Sequence, residues 1–153
     1  MSVFGNPLKI GGSGGGGGLT LPAIVAAIHA RNTGTSWTAI GSSSSVWANK
    51  GVNTDVVTEY NGTLTFTESG TYTVYIAARG GNTTSGAARY AHYQLLLNSY
   101  VEMVDTTNDL DNQGGTASIS LNIAANDQLV LNVKASSGSG TTITASIIVV
   151  KTA

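Results

Sequence analysis

YNGTLTFTESGTYTVYIAARGG, residues 60–81, is the stretch that sets the fold. Leu64 and Phe66 are followed by Glu68-Ser69-Gly70, and then Tyr72, Val74, Ile76 and Ala78 recur at every second position. Successive strand side chains point to opposite faces, so a period of two over this length predicts strands with one buried face. Gly70 supplies the backbone freedom of a turn between two alternating runs. The stretch therefore predicts a β-hairpin inside an all-β domain.

Working outward, the domain starts at Leu19. Pro22 opens an apolar run, AIVAAIHA at residues 23–30, whose β-branched Ile24, Val25 and Ile28 favour a buried strand over a short helix. Residues 32–53 are polar and turn-rich, with Trp37 and Trp47 on either side of the serines at 42–45. Strands are predicted at 55–58, 62–67 and 71–79, then a loop at 80–88, then one long strand at 89–103. An acidic loop, DTTNDLDNQGG, fills residues 105–115. Residues 117–124 and 128–135 alternate strictly about Asn126-Asp127 and predict a second hairpin. The last strand, 142–150, is apolar on both faces at Ile147, Ile148, Val149 and Val150, as a central or interface strand would be. About eight to ten strands with Gly-rich turns indicate a β-sandwich or jelly roll.

The totals narrow the function. The 153 residues suit one domain, with 41% hydrophobic and only 10% charged residues, against about 25% charged in an ordinary domain. Solubility must come from Ser, Thr, Asn and Gly, as suits a protein outside the cytosol or locked into a larger assembly. The net charge of −1 provides no basic field for nucleic acid. Cysteine is absent, which removes disulfides, thiolate metal sites and Cys nucleophiles. No apolar run approaches the ~20 residues of a membrane span, and the N-terminus lacks the pattern of a secretory signal.

Residues 1–18 stand apart from the head domain, residues 19–153. Phe4, Leu8 and Ile10 punctuate a short semi-apolar peptide, and GGSGGGGG follows at 11–18. A glycine tract loses much entropy on ordering, so it specifies no single conformation in a lone chain. The segment reads either as a tail or linker, or as an anchor peptide on a tether, with Phe4, Leu8 and Ile10 making the attachment.

Residues 66–81, FTESGTYTVYIAARGG, resemble the signature of the complement-1q globular head in the tumour-necrosis-factor-like jelly-roll superfamily. The matching residues are Phe66-Thr67, Gly70, Tyr72 and Arg79-Gly80. Residues 120–133 and the apolar closing strand fit the second half of that pattern, and residues 22–31 fit its first strand, so the resemblance spans roughly 20–152. The collagen-like stalk of many members is missing, and the glycine tract stands in its place. The resemblance implies a homotrimer with one sheet of each copy facing the three-fold axis. It also implies a setting on a bacteriophage virion or a bacterial surface, where heads without collagen occur.

The candidate sites follow. Tyr75, Tyr93, Ile147, Ile148, Val149 and Val150 are expected at the trimer interface. Trp37 and Trp47 are expected first to cap the two ends of the core, with sugar stacking as the sharper alternative. Asp105, Asp109 and Asp111 offer the oxygen donors that calcium wants, without the spacing of an EF-hand; such loops are ordinarily solvated turns. No other cofactor is implied. His29 and His92 have no neighbours at triad spacing, no nucleophile elbow is present, and no carboxylate pair stands out. The glycine tract lacks the Lys-Ser/Thr ending of a phosphate loop. The expected function is a non-enzymatic structural and binding module on a virion or extracellular surface. It would associate with itself, with other structural proteins and with cell-surface carbohydrate. A bacterial surface or spore-coat adhesin is the alternative.

Overall fold

The computed structural model describes residues 22–81, 91–106, 114–135 and 142–153. Within them the chain forms strands β1 (Ala23–Thr33), β2 (Thr38–Ala39), β3 (Trp47–Val52), β4 (Val57–Tyr60), β5 (Thr63–Phe66), β6 (Gly70–Gly81), β7 (Ala91–Leu97), β8 (Tyr100–Thr106), β9 (Gly114–Ile123), β10 (Gln128–Ala135) and β11 (Thr142–Lys151). They make two antiparallel sheets, a 5-stranded one in the order β3-β1-β11-β6-β9 and a 6-stranded one along β4-β5-β10-β7-β8, with β2 beside β10. The described residues include no helix long and apolar enough to cross a membrane.

The buried positions are those that the period of two selects. Leu64, Phe66, Tyr72, Val74, Ile76 and Ala78 all enter one core, with Ile143, Ala145, Ile147 and Val149 from β11 and Leu129, Leu131 and Val133 from β10. Full burial of such a side chain is worth about 1.5–3 kcal/mol. A bulge in β1 at Ile24/Ala26 shifts the register, so that both Val25 and Ala26 are buried.

Neither predicted hairpin forms. β5 and β6 belong to different sheets, and so do β9 and β10. The chain crosses from one layer to the other between Phe66 and Gly70, and again between Ile123 and Gln128. The two crossings lie side by side: Phe66 N donates to Asp127 O at 3.0 Å and Asn126 N to Phe66 O at 2.7 Å. On one side of them Thr65 pairs with Gln128, and on the other Gly70 pairs with Ile123. An antiparallel ribbon of β5-β6 against β9-β10 thus folds over itself, which is the winding of a jelly roll. Phe66 and Tyr72 meet across the fold, ring centroids 4.7 Å apart and inclined by 64°, an edge-to-face pair worth about 0.5–1.5 kcal/mol beyond its area. Burial raises the Tyr72 phenol above its ordinary value, with Lys151 opposing, and its hydroxyl donates to Glu68 O.

The tight turns lie elsewhere. β4 and β5 are joined through Asn61 (φ 49°) and Gly62 (φ 85°), the two-residue turn with positive φ at both centres that matches strand twist. The predicted single strand 89–103 is likewise broken, because Asn98 (φ 50°) and Ser99 (φ 70°) turn β7 back as β8. Asn98 accepts that conformation more readily than most side chains.

Candidate functional site

Strand register places the outward residues of the β3-β1-β11-β6-β9 sheet in rows. One row runs Trp47, Arg31, Thr144, Arg79, Gly114; the next runs Asn49, His29, Ser146, Ala77, Thr116; the third runs Gly51, Ala27, Ile148, Tyr75, Ser118. Val150, Thr73 and Ser120 follow, with Ile24 beyond Val150. These rows carry no carboxylate. The only ordinary cations are Arg31 and Arg79 at one end, flanking Thr144, and neither has an ionic partner among the described residues.

Tyr75 (49% exposed) and Ile148 (38% exposed) stand above this small-residue lawn. Beside them lies a shallow cavity of about 470 Å³, lined by Ala77, Thr116, Ser118 and Ser146 among others. Hydroxyls cross-link the strands: Thr73 Oγ1 and Ser120 Oγ are 3.1 Å apart, and His29 Nδ1 is 2.5 Å from Ser146 Oγ. Away from the two arginines at its end, the face is uncharged and its strands are cross-linked by hydroxyl pairs. It costs little to desolvate, which suits contact with another protein surface more than catalysis.

The predicted interface residues divide by parity. Tyr75, Ile148 and Val150 face outward, whereas Tyr93, Ile147 and Val149 are at most 1% exposed within the chain's own core. Tyr93 sits with its hydroxyl 4.0 Å from Met103 Sδ. A strand apolar on both faces is here a central strand with one face in the core and the other on this surface. A second exposed apolar patch, Tyr100, Val101 and Val104 on edge strand β8, carries no signal in sequence periodicity, because Glu102 bulges out opposite Leu95/Leu96 and breaks the alternation of β8.

Trp37 and Trp47, both 39% exposed, have part of their ring faces engaged. Lys134 Nζ lies 4.6 Å from the Trp37 ring centroid, and the His29 ring is 5.1 Å from that of Trp47. Asp109 and Asp111 fall outside the described residues, as do the side chain of Asp105 and the whole of Phe4, Leu8 and Ile10. Three carboxylates serve the fold. Glu59 Oε1 accepts from Lys50 Nζ at 2.7 Å and from Gly62 N at 2.7 Å. Glu68 Oε2 lies 2.6 Å from Lys151 Nζ and raises the affinity of that amine for its proton. Asp127 accepts from Asn98 Nδ2 and Ala124 N, which hold its carboxyl below the ordinary range.

Among solved structures, the globular domain of zebrafish complement 1qA protein superposes with a TM-score of 0.52 at 13% identity, over 84% of this chain and 98% of that one. The fold is that of the complement-1q/tumour-necrosis-factor-like jelly rolls. This complement-1q-like sandwich is also similar to Eiger TNF from S. frugiperda (TM-score 0.49, 15% identity, 85% of this chain and 93% of that one) and to rabbit GITRL (0.46, 15%, 77% and 91%). No family model matches the chain, and no curated protein sequence matches it at a significant level.

Proposed function

We propose that this complement-1q-like domain is a non-enzymatic structural and binding module that works as a homotrimer. Its setting is the surface of a virion, most simply a bacteriophage, to which the segment holding Phe4, Leu8 and Ile10 tethers it, with outward loops meeting cell-surface carbohydrate. The observation that carries the reading is the acid-free outer face of the β3-β1-β11-β6-β9 sheet, with Tyr75 and Ile148 exposed at its centre. A ring closed by rotation needs two different complementary patches on each copy. This face and the Tyr100/Val101/Val104 edge supply such a pair, and aromatic residues are favoured at the core of protein interfaces.

Sedimentation of the full chain at micromolar concentration tests the assembly. The wild type is expected to run as a trimer and Ile148→Asp as a monomer with unchanged far-UV circular dichroism. A wild-type monomer, or a trimer undisturbed by the buried charge, would overturn it. Particle incorporation with and without residues 1–18 tests the tether: equal incorporation removes that role.

A further inference from the structure

At the side of the sandwich, where edge strands β3 and β4 face each other, a second groove of about 480 Å³ is lined by Gly41, Ser42, Ser43, Lys50, Tyr60 and Asn61, among others. Its walls are built rather than incidental. Gly62 has φ 85°, and a Cβ there would lie 2.6 Å from Ile40 O and 2.9 Å from Ala39 Cβ, so the turn is pressed against the residues that lead into the opposite wall. Gly41 has φ 76°, and a Cβ there would lie 3.0 Å from Ile28 Cγ2 and 3.1 Å from Lys50 Cε. Buried Asn32 ties down the same loop, accepting from Ser45 Oγ at 3.1 Å, and Ser45 Oγ in turn accepts from Gly41 N at 3.0 Å. Asn61 Oδ1 bridges the walls by accepting from Ser43 N at 2.7 Å.

The groups left over point to a ligand. Tyr60 is 85% exposed, the most open large apolar side chain among the described residues. Asn61 keeps its amide N–H donors, because only its oxygen is engaged. The exposed Ser43 side chain stands on the same wall, whereas Ser42 Oγ, which has no hydrogen-bond partner, is too buried for a molecule in the groove to reach. Lys50 brings a charge, but Glu59 at 2.7 Å cancels it. An open aromatic face with Ser and Asn around it combines contact area with adaptable hydrogen bonding, and the local charge balance gives no preference for an anion.

We propose that this groove binds a neutral saccharide, one pyranose ring lying on Tyr60 with its hydroxyls bonded to Asn61 and to the serine loop. The assignment rests on the surface-display reading above and moves its carbohydrate contact away from Trp37 and Trp47. The full-length protein, isotopically labelled, is titrated with neutral hexose and N-acetylhexosamine oligomers, and in parallel with sialylated and sulfated ones. Saturable shifts are expected at the amides of Ser42, Ser43 and Asn61, equally for neutral and acidic oligomers of the same core. Tyr60→Ala and Asn61→Gly, the latter keeping the turn's positive φ, each weaken binding about tenfold while the circular dichroism spectrum and sedimentation stay unchanged. Shifts that map to Trp37 and Trp47 would overturn the groove and leave the display reading standing. A lack of saturation with every oligomer, a clear preference for the acidic set, or full binding by Tyr60→Ala would overturn the saccharide assignment, whatever the state of assembly.

Discussion

Two connections within residues 60–81 do opposite things. Asn61-Gly62 returns the chain to the neighbouring strand of the same sheet, while residues 67–69 carry it across the core into the other sheet. Both are short, polar and glycine-flanked, and both separate apolar alternations. The difference lies in what the backbone groups meet. At the tight turn, positive φ at both centres aligns β4 and β5 for ladder bonds. At the crossing, Phe66 gives its N–H to Asp127 O and its carbonyl accepts from Asn126 N, partners remote in sequence. The lesson is that local chemistry writes a turn, whereas a crossing is written by a second crossing lying next to it.

That contrast can be broken at the crossing first. Phe66→Ala removes the ring that bridges β5 to Tyr72 and leaves a cavity, so a loss of about 4 kcal/mol is expected from urea unfolding. A loss near that of an exposed substitution would mean that the crossing does not depend on its aromatic pair. The tight turn comes next. Gly62→Val puts a branched side chain at φ 85° and against Ile40 O, with an expected cost of about 2–3 kcal/mol. A melting temperature equal to that of the wild type would show that the turn relaxes without cost.

The smallest effect sharpens the comparison, because one side chain touches both kinds of connection. Asp127 sits in the crossing and accepts from Asn98 in the β7-β8 turn. Asp127→Ala should cost about 1 kcal/mol, the net worth of such hydrogen bonds. Its pH dependence follows from the lowered carboxyl: folding holds fewer protons than unfolding, so the contribution is fully present above the unfolded value near 3.9. It disappears as pH falls through the lower folded value. Acid unfolding curves of wild type and variant should therefore converge once the pH has fallen below the lowered folded value; parallel curves would place the effect outside Asp127.

Much of this fold is legible without coordinates. Phe66, Tyr72, Val74 and Ile76 are buried where alternation puts them, and the resemblance carried by Phe66-Thr67, Gly70 and Tyr72 reaches the right fold. The tight turn was also written in the opening stretch, since Asn-Gly between alternating runs is a strong local hairpin signal. Reading the turn at Glu68-Ser69-Gly70 instead missed it, and with it the groove beside Tyr60. Asn98-Ser99 gave less warning, because Ser is unusual at positive φ.

By itself the sequence determined which side chains leave water along strands apolar on one face, such as Tyr72, Val74 and Ile76, because a period of two is a property of the backbone and needs no partner. Only the tertiary structure decided which sheet each strand joined. A hairpin and a crossing bury the same alternate residues, and the choice depends on pairings such as Gly70 with Ile123 and Thr65 with Gln128. It also decided that Tyr93 fills the core while Tyr75 faces out, because inside and outside are defined only once two layers have closed on each other.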